Sequence, residues 1–190
     1  PWHWHDELEA VIVSEGTALI AAGTKKYTVK QGEGIFINAG ILHAAWSMKC
    51  SVCHLHSITF HPRLIGGSID SIFWHNYIQP LLTNPIVKHI HLDSSEAWHK
   101  KATHAIESAW NSCANEPFGY EFQVRSSLSE LILHLSAYHP VISRQPSEKV
   151  LRNSNRLKLM LQFIQDHYPD QINVSMIDRK STRLNSSHEG

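Results

Sequence analysis

The stretch His3-Trp4-His5-Asp6-Glu7-Leu8-Glu9-Ala10-Val11-Ile12-Val13-Ser14-Glu15-Gly16 decides how this chain is read. On an extended strand alternate side chains share a face, so His3 and His5 point the same way. Glu9 keeps that parity. A straight strand would still leave it about 13 Å from His5, at about 3.3 Å per residue. For the three to converge, the chain must turn within Asp6-Glu7-Leu8 and start a new strand at Glu9; Asp is a turn former. Val11-Ile12-Val13 then reads as a buried strand and Glu15-Gly16 as its closing turn. One hairpin later, Gly32, Gly34, Asn38, Gly40 and His43 surround the apolar run Ile35-Phe36-Ile37. Glycines at both ends permit tight turns, which can deliver His43 to the cavity of His3 and His5.

These spacings resemble the two cupin motifs. His3, His5, Glu9 and Gly16 match the first in full, and Gly32, Gly40 and His43 match the second. The second departs at Asn38, where many cupins have Pro, and at Ser47, where many have Asn. By that resemblance His3, His5, Glu9 and His43 are the candidate ligand-binding residues and, in a metal-binding cupin, the metal ligands. Imidazole and carboxylate suit zinc, iron, nickel or manganese, so a divalent metal is one option, although no cofactor is required. A pocket lining without metal and a purely structural, hydrogen-bonding role stand beside it.

The 190 residues suffice for one or two domains with a sizeable core. No run of about 18 apolar residues occurs, so no membrane span or membrane partner is expected. Lys plus Arg equals Asp plus Glu, which leaves no whole-chain basic footprint for nucleic acid. Pro1 rather than Met opens the chain, inside a motif, which suggests that native N-terminal sequence is missing. Three cysteines do not make a disulfide framework, so a reducing compartment, the cytoplasm, is the default. Cys50-Ser51-Val52-Cys53-His54 has the spacing of a haem attachment, and CxxC recurs in zinc sites. On a strand, however, Cys50 and Cys53 face opposite sides and cannot easily share one cofactor. His89-Ile90-His91 repeats the alternation of the opening stretch without its partners and reads as strand surface. The scattered His61, His75, His99, His104, His134, His139 and His167 read as surface or helix positions.

Taken in order, residues 1 to about 62 read as short strands with turns at close intervals, the pattern of a sandwich or barrel. Asp70 to Leu82 reads as a helix-like or irregular covering layer, and Ile86 to Leu92 as one more strand. Asp93 and Glu96 have capping-box spacing, so a helix is expected to start at Asp93. Its apolar stripe is Trp98, Ala102, Ala105, Ile106, Ala109, Trp110 and Cys113. Pro117 suits the first position of a second helix, whose stripe is Phe118, Phe122, Leu128, Leu131, Ile132 and Leu135. The short connection implies antiparallel packing. Residues 139–155 read as a linker. From Arg156, Leu157, Met160, Leu161, Ile164 and Tyr168 follow a helical period, and Asn173 could cap a further helix.

This order resembles the arabinose-regulator (AraC) family of bacterial transcription factors over residues 1–177. Ser57-Ile58-Thr59-Phe60-His61-Pro62, Phe118-Gly119-Tyr120-Glu121, and Arg156-Leu157-Lys158 through Ile164 with Ile172, Val174 and Ile177 carry the resemblance. It implies a mainly β cupin-like barrel or sandwich, an antiparallel α-helix pair, and the first helix of a truncated helical DNA-binding domain. The expected division is an effector-binding domain at 1–92, a dimerising helix pair at 93–138, a linker at 139–155, and the start of a helix-turn-helix domain at 156–177. Residues 178–190 contain DRKSTRLNSSH, which reads as a translated sequencing adapter and is excluded from fold reasoning.

The function so implied is a non-enzymatic, cytoplasmic transcriptional regulator: a homodimer that binds a small effector, such as a sugar, and contacts DNA through a missing C-terminal domain. Two alternatives remain open. One is a metal-dependent cupin enzyme, a dioxygenase or isomerase, using His3, His5, Glu9 and His43. The other is a plain interaction domain whose amphipathic helices pair with another chain.

Overall fold

A computed structural model describes residues 1–48, 52–139 and 159–162. Among the described residues there are seven strands: β1 Leu8–Glu15, β2 Thr17–Ala22, β3 Lys25–Lys30, β4 Gly34–Ile37, β5 His43–Ser47, β6 His54–Phe60 and β7 His89–Leu92. They form two antiparallel sheets, ordered β6-β1-β4-β7 and β3-β2-β5. Gly16 and Gly23 close the first two hairpins with φ of +78° and +58°, a conformation that glycine adopts without steric cost. At Gly16 a Cβ would also collide with the Val52 carbonyl, so the position admits none.

Val11, Val13, Ile35 and Ile37 of one sheet meet Ala18, Ile20, Ala22 and Val29 of the other in the core between the layers. The opposite face of the four-stranded sheet is apolar too. Leu8, Ala10, Ile12, Phe36, Ile58 and Phe60 pack there against the helices. This double burial explains the unbroken runs Val11-Ile12-Val13 and Ile35-Phe36-Ile37, where a half-solvated strand would alternate.

Between β6 and β7 the covering layer is α1 Arg63–Gly66, a π-helical turn Trp74–Ile78 and α2 Gln79–Thr83. The helix pair is α3 Ala97–Asn115 and α4 Tyr120–Tyr138. Trp98 stacks on Tyr138, with ring centroids 5.0 Å apart, and Ser127 donates to Ser108 at 3.1 Å. Early residues of one helix thus meet late residues of the other, and the pair is antiparallel, as the short connection implied.

Both helix starts differ from expectation. Asp93 caps nothing: its Oδ1 accepts from the Ser95 backbone and hydroxyl at 3.0 and 2.6 Å and from His99 Nδ1 at 3.0 Å. An Asp that can close a local turn competes with the helix for its own bonds. The helix begins four residues later, with Glu96 extended at the cap and holding the Trp98 indole at 2.9 Å. Pro117 likewise sits in a turn, its carbonyl accepting from Tyr120 at 2.9 Å, and Gly119 (φ +78°) restarts the chain as the cap of α4. Leu128, Leu131, Ile132 and Leu135 are buried as read, whereas Phe118, Phe122 and Cys113 are exposed. Trp110 is only half-buried.

The chain divides into units 1–143 and 144–190, and of the second only one helical turn at 159–162 is described. The rest of the linker and helix-turn-helix readings, residues 178–190 and Cys50 lie outside the described residues.

Candidate functional site

The chain bends at Asp6-Glu7, so β1 starts at Leu8 and Glu9 enters it facing the core between the sheets. His3 is fixed by two backbone bonds to His43, at 3.0 and 2.9 Å, which add a rung beside β5. The Gly40 N–H holds the His5 carbonyl at 2.7 Å. Outside that rung Trp2 packs edge-on to Trp46, ring centroids 5.5 Å apart. All four residues singled out from the sequence therefore converge. His3 and His43 have ring centroids 4.2 Å apart, His5 and His43 5.0 Å. One donor atom from each of His3, His5, Glu9 and His43 lies within 4.8 Å of the others, the one such cluster among the described residues.

Each imidazole is oriented by the same device. Nδ1 of His3, His5 and His43 donates to the carbonyl of Pro1, Glu7 and Ile41, at 3.2, 3.1 and 2.7 Å. A carbonyl only accepts, so Nδ1 carries the proton and Nε2 is left to act within the cluster. Glu9 Oε2 lies 2.7 Å from His43 Nε2 and 3.3 Å from His5 Nε2. The His43 contact is close yet poorly aligned as a hydrogen bond, which leaves a buried ring nitrogen without a directional partner. The other carboxylate oxygen accepts from the Ser57 hydroxyl at 2.7 Å.

Burial alone would raise the pKa of Glu9. The close contact with His43, the bond from Ser57, the charge of His43 and the bond from His5 outweigh it and hold the carboxyl at about 2. Burial would lower the pKa of His43, but Glu9, the Ile41 carbonyl and the Glu9 charge prevail and raise it.

The cluster opens between β5 and β6, the edge strands of the two sheets. Residues directly opposite in a ladder share a face. Thr59, Ser57 and Leu55 oppose Glu9, Val11 and Val13; Ser47, Ala45 and His43 oppose Ala18, Ile20 and Ala22. All six thus face inward, but only His43 is buried; the other five are exposed. An open, partly polar seam leads to the imidazoles. Ser57 is the site residue that the sequence reading missed; it stands 48 positions from Glu9, and only the β1–β6 register brings them together.

The other seam, between β3 and β7, is closed by side chains. The Tyr27 hydroxyl and His89 Nδ1 share a hydrogen bond of 2.8 Å, and His91 Nε2 donates to Glu33 at 3.0 Å. His89 and His91 oppose Ile37 and Ile35, so they face inward and are half-buried, correcting their reading as strand surface. Cys53 is half-buried beside the inter-sheet core.

The donor set fits a divalent metal: three neutral-capable imidazoles, one carboxylate, and backbone carbonyls fixing each ring, the arrangement that metal-binding histidines require.

A two-sheet antiparallel sandwich with an inward-facing His/Glu cluster and a covering helix pair defines a cupin-like architecture. Residues 1–110 match the family model of the AraC-like ligand binding domain, and the chain belongs to that family. It is 27% identical over 177 residues to an uncharacterised HTH-type transcriptional regulator, YdeC, of Bacillus subtilis strain 168, covering 93% of this chain and 59% of that protein. Among solved structures it is similar to apo ToxT K231A from Vibrio cholerae strain SCE256 (TM-score 0.49, 7% identity, 93% of this chain and 62% of that one). It is also similar to the AraC-like transcriptional activator CuxR (TM-score 0.47, 10% identity, 94% and 57%). The chain spans less than two thirds of each of these relatives. No helix among the described residues is long and apolar enough to cross a membrane.

Proposed function

We propose that residues 1–139 are the effector-sensing part of a cytoplasmic transcriptional regulator, and that the seam between β5 and β6 takes the effector. The observation that carries this reading is the convergence of His3, His5, Glu9 and His43 on an accessible inner face, in a domain whose family is named for ligand binding. A polar metabolite such as a sugar fits the chemistry: Glu9 accepts from hydroxyls, and the imidazoles donate or accept. If a divalent metal is held, His3, His5, Glu9 and His43 hold it, and it supplies a Lewis acid to an oxygen-rich effector. The curated relative that this chain resembles over 177 residues is described as a transcriptional regulator, so we retain sensing over catalysis.

Regulation requires a second copy and DNA. The apolar groove of about 530 Å³ along α4, lined by Phe73, Tyr77, Phe122 and Leu133 among others, supports pairing of two copies through the helix pair. DNA recognition falls to the part beyond residue 139. Effector binding acts by favouring one arrangement of the pair over another.

Thermal melting with a panel of monosaccharides and divalent cations tests the sensing reading. A concentration-dependent rise with at least one panel member, lost in His43→Ala, supports it. A rise that His43→Ala leaves unchanged contradicts it.

A further inference from the structure

Strand β6 carries two consecutive side chains with different partners. On the inner face the Ser57 hydroxyl donates to Glu9 at 2.7 Å. On the outer face His56 Nδ1 lies 2.9 Å from both carboxylate oxygens of Glu107 in α3. The His56 ring also stacks on Trp110, one helical turn further along, with centroids 3.6 Å apart and planes 7° from parallel. His56 is thus gripped by α3 through a charge-assisted bond and a ring face, while its neighbour grips the carboxylate at the heart of the cluster.

Among the described residues β6 is an edge strand, paired with β1 alone. The ladder slips between Val13 and Glu15, where β1 carries the extra residue Ser14 opposite the Leu55–His54 step, one residue from His56. The Ser14 hydroxyl donates to the His54 carbonyl at 3.1 Å. A bulge interrupts the ladder locally and re-aims side chains beside it.

We propose that β6 is the output element of the site: Ser57 responds to whatever engages Glu9, and His56 passes the displacement to α3 through Glu107 and Trp110. A ligand that takes up Glu9 Oε1 competes with Ser57 for the same lone pairs. The released strand settles in a second position, and α3, half of the helix pair, moves with it. Ser57 and His56 are positioning residues, which touch the ligand's partner and the helix, not the ligand. This inference rests on the reading of the Glu9 cluster as the sensing site, and gives that site its route outward.

The test is a double-mutant cycle read at the Trp110 indole N–H by two-dimensional NMR, with Trp110→Phe assigning the peak. Glu9→Ala removes the acceptor of Ser57 and shifts the Trp110 peak in the otherwise native protein. In the Ser57→Ala background the same Glu9 change leaves the peak near its place, because the link is already cut. Glu9→Leu keeps the volume if the alanine variant does not fold. An equal Glu9-induced shift in both backgrounds, or none in either, overturns the proposal. Titration with Zn²⁺ separates the two readings. If the cycle behaves as expected but neither Zn²⁺ nor any panel sugar moves a peak of His43 or Trp110, the sensing site fails and the link stands. If ligands move His43 but the cycle fails, the site stands and the link falls.

Discussion

The sandwich has two seams, and both are lined by histidine and glutamate. At the β3–β7 seam the groups pair off: Tyr27 with His89, His91 with Glu33. The Tyr27–His89 bond ties β3 of one sheet to β7 of the other, and Glu33 also accepts from the Lys30 backbone N–H at 3.0 Å. At the β5–β6 seam three imidazoles gather with one carboxylate, one donor atom of each within 4.8 Å of the others. The same residue types therefore make a clasp where they meet in pairs and, on the reading proposed above, a socket where several donor atoms converge on one point.

The electrostatics diverge in the same sense. The pKa of His43 is raised, chiefly because Glu9 overcomes the effect of burial. The pKa of His89 is lowered by burial and by the charges of Lys25 and Lys88. His43 is thus poised to be charged when nothing else neutralises Glu9, and His89 to stay neutral.

The largest contrast is expected in metal affinity. His43→Ala or Glu9→Ala should weaken Zn²⁺ binding by more than about 100-fold, beyond the usual effect of outer partners. Tyr27→Phe and His91→Ala should leave it unchanged. Isothermal titration of the four variants checks both halves.

The next contrast is in stability. Tyr27→Phe leaves an inward-facing His89 without its partner and should cost about 1–2 kcal/mol in denaturant melts. Ser57→Ala, at the exposed seam, should cost less than about 1 kcal/mol. Equal costs would mean that the open seam is as much a clasp as the closed one.

Acid should act oppositely on the two seams of the metal-free protein. A raised folded pKa makes His43 stabilising below its unfolded value of 6.5, a contribution lost as pH rises through the folded value. A lowered folded pKa makes His89 a growing penalty as pH falls below 6.5. Melting between about pH 5 and 8 should therefore fall more steeply towards acid in His43→Gln, and less steeply in His89→Gln, than in the native chain. Below 4.5 the Glu9 contribution also declines, and it is gone once pH passes about 2.

The socket was legible in the sequence because its donors are local. His3, His5 and Glu9 fall within seven residues, and glycine turns bring His43 back after one more hairpin. The fold class followed from short strands separated by turns at close intervals and from the resemblance that the motifs and their order carry. The clasp was not legible. Tyr27 and His89 are 62 positions apart, and they meet only once the order of strands across two sheets is known. Ser57 was hidden for the same reason of register. The helix starts misled because Asp93 and Pro117 each have two competing uses, cap or turn, and the side chains of Ser95 and His99 decided the first. Phe118 and Phe122 kept a helical period yet lie outside, since spacing alone does not say which apolar face the fold covers.

Titration of the purified protein with Zn²⁺, followed by the imidazole resonances of His43 and His91, tests the account most directly. A socket at the open seam predicts saturable binding that shifts His43, leaves His91 in place and disappears in Glu9→Ala. Binding that shifts His91 instead, or that survives the loss of Glu9, would contradict it.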